Sequence, residues 1–288
     1  MKDRIITIIL IIILVGGIGS LSYPLISNML RDRRQDRILS EYNQEMEEVS
    51  DNEIENIRMT AQAYNENLLG TVIISDPFDP KKQEQADDGY FEILNLDKNG
   101  IIGYVEIPRI GVYEPIYHGT SETVLAKGVG HLRNTSFPIG GTGTHAVLSG
   151  HTGLPEAEIF TNLTALKKDD IFFIHILKET LAYQVDQIKV VEPSNTSDLH
   201  IDTDEDYVTL VTCTPYGINS HRLLVRGRRV EYTPKVAEQA QQQENEGGGN
   251  ENWKEIYGKA IIKGLLIAAF ILTVFVIILY YKRVRENR

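Results

Sequence analysis

The only cysteine of this 288-residue chain, Cys213, closes the run Tyr207-Val-Thr-Leu-Val-Thr-Cys213, and Arg222 opens the next apolar run, Arg222-Leu-Leu-Val-Arg226. The first run alternates large and β-branched side chains, as a strand packed on both faces does. Pro215 and Gly217 break it, and Asn219 and Ser220 suit a turn. Two neighbouring strands joined by this loop would place Cys213 and Arg222 at the same end. A thiol attacks carbonyl carbon only as thiolate, and a fixed cation favours that form. Taken alone, the stretch equally allows a buried, inert cysteine, because free Cys is among the most buried residue types. His151 tips the balance: Ala146-Val-Leu-Ser-Gly-His151-Thr-Gly153 is another apolar strand ending in a Gly-flanked turn. Cys, His and Arg at three strand ends form a constellation for nucleophilic acyl chemistry. His131, in Gly130-His-Leu-Arg-Asn, is the second candidate imidazole, and His221, adjacent to Arg222, is a third.

Thr209-Leu-Val-Thr-Cys213 resembles the TLxTC signature of sortases, the membrane-anchored cysteine transpeptidases of Gram-positive bacteria. His151 and Arg222 fit that family's catalytic trio. Upstream, Asp76-Pro77-Phe78 resembles the lid motif of class C sortases, the pilin polymerases. The likeness covers roughly residues 70 to 230. It implies an eight-stranded closed β-barrel, with Cys213 as nucleophile, His151 as general acid and then base, and Arg222 as donor to the oxyanion or the substrate backbone. It also implies that Asp76 pairs with Arg222 and that Phe78 covers the Cys213 sulfur. The implied substrate is an LPxTG-like sorting signal cut between Thr and Gly, and the implied acceptor is a lysine of another pilin subunit. No metal or organic cofactor is required.

Elements able to position these residues follow from pattern. From Gly103 onward short strands recur, at Tyr104–Ile107, Tyr113–Tyr117, His145–Ser149, Ile171–Ile176 and Leu181–Val191, with one short helix expected over Pro155–Leu166. Short strands without βαβ alternation predict a mainly β domain, closed or sandwiched. Ahead of it, residues 36 to 69 carry helical spacing, Leu39, Tyr42, Met46 and Val49, then Ile54, Ile57, Ala61, Tyr64 and Leu68. Ser50 and Glu53 form a capping box that splits this segment into two helices. Residues 76 to 90, rich in Pro and Asp, read as an exposed loop.

The expected organisation is a signal-anchor at 1–30, a helical segment at 31–70, a lid loop at 71–90 and the catalytic barrel at 91–233. A flexible linker at 234–258, a transmembrane helix at 259–281 and a basic tail at 282–288 follow. Ile5 to Ile18 are continuously apolar, and Gly264 to Tyr281 are uncharged and end in Lys282-Arg283-Val-Arg285, which places that end in the cytoplasm. Two spans then put the barrel on the extracellular face of the cell membrane, although Arg31, Arg33, Arg34 and Arg37 after the first span run against the rule. The net charge of −11 and the lack of a basic, aromatic-laced patch argue against nucleic acid. The acidic residues from Glu41 to Glu55 read as a solvated face, and one cysteine excludes an intrachain disulfide framework. Two other functions stay open: an enzyme of the same chemistry that attaches surface proteins to a cell-wall precursor, and a membrane-tethered scaffold in which the trio is coincidence.

Overall fold

The computed structural model describes residues 2–68, 74–79, 89–96, 99–153 and 159–247, with scattered positions between 258 and 277. The chain divides into two compact units, Arg31–Gly249 and a smaller one formed by Met1–Leu30 with Asn250–Arg288. The larger unit holds eight strands, β1 Ile101–Ile107, β2 Val112–His118, β3 Val129–His131, β4 Thr144–Ser149, β5 Ile171–Ile176, β6 Glu179–Val191, β7 Asp206–Thr214 and β8 His221–Val230. They close into a barrel in the order β1-β2-β3-β4-β7-β8-β6-β5. Only β2/β3 and β4/β7 pair in parallel. The mainly β, eight-stranded closed barrel is therefore the architecture that the sequence led us to expect. β3 was not foreseen, because three residues are too short to show a period.

Alternation sorts each strand between two apolar regions. Ala146 and Leu148 of β4, Val208 and Leu210 of β7, and Leu223 and Val225 of β8 belong to the main core. Their neighbours Val147, Val211 and Leu224 point to the opposite face and form a separate cluster with Leu132 and Leu199. Each such side chain contributes about 1.5–3 kcal/mol when fully buried. Strands buried on both sides explain why the sequence reads as nearly continuous apolar runs.

Two helices precede the barrel, α1 Lys2–Glu48 and α2 Asp51–Asn67, separated at Ser50, whose hydroxyl accepts from Glu53 N (3.3 Å). Leu39, Tyr42, Met46, Ile54, Ala61 and Leu68 are buried, as the helical spacing predicted. Tyr42 locks α1 to the barrel, its hydroxyl donating to Ile102 O and accepting from Leu177 N. Asn65 does the same for α2, exchanging two hydrogen bonds with the backbone of Phe137. A four-residue helix, α3 Glu122–Leu125, follows β2, capped by Ser121.

Two expectations change. The linker does not begin at 234, because α4 Pro234–Gly247 is a helix docked on the barrel. Gln243 accepts from Ile171 N (2.8 Å) and donates to Asp169 O, while Ala240 is buried against Ile171 and Phe173. Its polar composition hid two contact residues inside a run of Gln and Glu. The helix expected over Pro155–Leu166 is a single 3-10 turn, Leu163–Ala165, with 154–158 outside the described residues. Among the described residues, no helix is long and apolar enough to cross a membrane. Most of the second expected span (259–281), and all of the basic tail (282–288), lie outside them.

Candidate active site

Register brings the candidate residues together. β4 runs parallel to β7 with Ser149 opposite Val211, and β7 runs antiparallel to β8 with Cys213 opposite Arg222. The β4/β7 pairing continues one step further: Gly150 N donates to Val211 O (3.1 Å), and Thr212 Oγ1 donates to Gly150 O (2.7 Å). His151 is thereby carried level with Cys213 and Arg222, at one end of three adjacent strands. Residue 150 must be glycine for steric reasons, since a Cβ there would lie 2.7 Å from the Phe160 ring. Gly153 completes the turn at φ +76, with its N–H donating to Thr161 Oγ1.

Cys213 is half-buried and unpaired with any other cysteine. Burial pushes its thiol up from the ordinary value, Arg222 pulls it down, and the carboxylates of Asp76 and Glu122 push it up again. Arg222 is held as a fork: Nε donates to Asp76 Oδ1 (2.9 Å) and Nη2 to Oδ2 (2.7 Å), while Nη1 donates to the carbonyls of Asn219 and His221. Only 11% of the Arg222 side chain and 14% of Asp76 are exposed. The Phe78 ring lies 5.1 Å from the Arg222 guanidinium and 5.8 Å from the His151 ring. Pro77 is buried, and the turn is closed by Asp79 N to Asp76 O (3.1 Å) and Phe78 N to Asp76 Oδ1 (3.3 Å). Ile74 and Phe78 pack against the cluster of Leu132, Val147, Leu199, Val211 and Leu224. The segment thus roofs the cleft, with Asp76 on Arg222 and Phe78 set between Arg222 and His151.

Glu122, which sequence reasoning missed, brings Oε2 to 3.4 Å from His151 Nε2. It starts α3, an element too short to announce itself. The other candidate imidazoles lie elsewhere. His131 is fully buried, donates from Nε2 to Ser136 O (2.8 Å) and has the Tyr90 hydroxyl 2.9 Å from Nδ1. Burial pushes it down to about 3, so it is a neutral core side chain. His145, another buried imidazole, spans His200 O and Thr209 Oγ1 and is pushed down to about 4 by burial. His221 is exposed, its ring 2.8 Å from Ser220 Oγ. Among the described residues, no group of three or more His, Cys, Asp or Glu side chains could hold a metal ion.

The arrangement brings a thiol, an imidazole and a guanidinium fork to one end of three adjacent strands, a set that acyl transfer can use. A sortase-domain family model matches residues 105–230. Sortase A of Bacillus anthracis is 28% identical over 149 residues, covering 52% of this chain and 69% of its own length. Sortase A of Staphylococcus aureus is 25% identical over 218 residues, or 74% of this chain and 88% of that protein. Solved structures are closer in sequence. Sortase C-1 from Streptococcus pneumoniae is 47% identical with a TM-score of 0.64, over 68% of this chain and 100% of that one. A pilus-related sortase C of Group B Streptococcus is 47% identical with a TM-score of 0.61, over 66% and 96%.

Proposed function

The chain belongs to the sortase family of cysteine transpeptidases, and from that premise we propose that it polymerises pilins by cutting an LPxTG-like sorting signal and passing the acyl group to a lysine. The observation that carries this reading is the Asp76–Arg222 fork with Phe78 beside it, together with neighbours that are class C and pilus-related sortases.

In the first step Cys213 Sγ, as thiolate, attacks the threonine carbonyl. The C–N bond to glycine breaks, His151 gives its proton to the departing amine, and a thioester remains on Cys213. In the second step a lysine amine attacks the thioester, His151 accepts its proton, and the thiolate leaves. One amide replaces another, so no energy source is consumed. Arg222 donates to the oxyanion or the adjacent substrate carbonyl once Asp76 has left it. Burial pushes the thiol up and so disfavours the thiolate while the cleft is roofed. Departure of Asp76 removes one of the charges holding it so, which couples lid opening to nucleophile formation.

Incubation of the full chain with candidate pilins, followed by mass spectrometry of cross-linked peptides, tests the reading. A Thr–Lys isopeptide lost in Cys213→Ala is expected. Transfer only to a cell-wall precursor amine would assign the chain to surface-protein anchoring instead. The proposed setting is the outer face of the cell membrane, with residues 1–30 and 259–281 as spans. A reporter fused after Arg288 should then behave as cytoplasmic, and an external reporter there would refute the two-span arrangement.

A further inference from the structure

Three buried side-chain atoms lack a hydrogen-bond partner among the described residues: Arg31 Nη2, Arg109 Nε and Ser149 Oγ. The two arginines lie in ion pairs with Glu114 and Asp170. Ser149 has no such neighbour, and it is fully buried. A buried hydroxyl is ordinarily bonded, so an orphan requires a reason.

Its place in the fold supplies one. Ala146 and Leu148 of β4 face the main core, so Val147 and Ser149 face the opposite side, where Val147 joins the apolar floor under Ile74 and Phe78. Ser149 sits opposite Val211 on β7 and opposite Gly130 on β3. Over Gly130 lies Leu125 of α3, the helix that also brings Glu122 to His151. Ser149 is therefore one strand across from β7 and two residues short of the level of Cys213. By strand geometry that is about 8 Å between Cα atoms, and the shared parity with Val211 puts Ser149 on the same face of the sheet as Cys213.

The other groups on this face have partners. Asp76 takes the Arg222 fork, Phe78 packs on the apolar floor, and Thr209 is bonded to His145. Among the described residues of the segment, none is hydrogen-bonded to Ser149. A buried hydroxyl on the strand face of Val147, with no partner among the described residues, is placed for a substrate group to complete.

We propose that Ser149 is a positioning residue for the acyl donor, exchanging a hydrogen bond with the threonine hydroxyl beside the scissile bond. This rests on the sorting-signal reading given above. The hydroxyl does not touch the bond that breaks; it fixes the rotation of the scissile residue, so that the carbonyl presents its face to Cys213 Sγ. A pocket built to bond a substrate hydroxyl also rejects a residue lacking it, because the Ser149 hydroxyl would then be left unpaired in the complex.

The test is a cycle between enzyme and peptide. Single-turnover formation of the Cys213 thioester is measured for the full chain and for Ser149→Ala, with an LPxTG peptide and one in which valine replaces the threonine. Wild type should lose about tenfold in kcat/KM on the valine peptide, and Ser149→Ala about tenfold on the threonine peptide. The double change should lose no more than either single one. Labelling of Cys213 by iodoacetamide should match wild type, and the melting temperature should not fall, since the hydroxyl removed has no partner to lose. Full activity of Ser149→Ala on the threonine peptide, or losses that multiply to about a hundredfold, would overturn the assignment. If Ser149→Ala does not fold, Ser149→Cys fills the same space with a weaker donor and must show the same loss. A wild-type enzyme inert towards every sorting peptide overturns the donor class itself, which is a separate failure.

Discussion

Removal of the Asp76 carboxylate should open the cleft and activate the nucleophile together. The Asp76–Arg222 pair is bidentate at 2.9 and 2.7 Å with both side chains largely shielded, unlike the exposed pair that a mobile surface loop would give. Hydrogen bonds to charged groups contribute about 1.5–3 kcal/mol each net, and the Phe78–Arg222 contact adds about 0.5–2 kcal/mol. Asp76→Ala removes the first contribution and leaves the second. Taking about 2 kcal/mol as its worth to the roofed state, the ratio of open to roofed molecules rises about thirtyfold. A reagent that reaches Cys213 only in the open state speeds up by that factor until open molecules dominate. A second effect has the same sign. Burial is the main cause that raises the Cys213 thiol above its ordinary value, and the Asp76 charge adds to it, so loss of that charge lowers the thiol and increases the thiolate present at a given pH. The pH–rate curve should therefore move to lower pH as well as upward. The assay is the rate of Cys213 alkylation in wild type, Asp76→Ala and Phe78→Ala, measured from neutral to mildly alkaline pH at fixed ionic strength. Equal rates in wild type and Asp76→Ala would show that this segment does not gate the thiol.

Arg222→Lys keeps the charge but loses the planar fork, so its transfer rate should fall to within about tenfold of Arg222→Ala; near wild-type turnover would show that charge alone suffices. Gly150→Ala drives a Cβ into the Phe160 ring at 2.7 Å, which should cost about 1–3 kcal/mol in a denaturant melt and reduce transfer by shifting His151, while Cys213 still alkylates. His131 and His145 stay neutral in the fold, at about 3 and about 4, against 6.5 in the unfolded chain. The unfolded state then binds more protons throughout that window, so stability should be lost progressively as pH falls below about 6.5 towards 4. A melting temperature that stayed flat over this range would contradict the burial of these rings.

The sequence alone determined the strands that matter most, because β4, β7 and β8 are apolar on both faces and end at turn residues, a pattern that needs no knowledge of partners. It also determined the split at Ser50, since capping is local, and the choice of Cys213, His151 and Arg222, since each ends a legible strand. What the sequence could not carry is everything that depends on which strands become neighbours. The parallel register that places Ser149 against Val211, and so lifts His151 level with Cys213, joins segments more than sixty residues apart. β3 and α3 are too short for periodicity, so Glu122 beside His151 emerged only from packing. His131 resembles a candidate base in sequence, and burial makes it a neutral core group. α4 reads as a polar tether because just Ala240 and Gln243 are buried, and two buried positions do not make a pattern. The orphaned hydroxyl of Ser149 belongs to the same class: its lack of a partner depends on the β3, β7, α3 and lid residues around it, which only the closed barrel brings together.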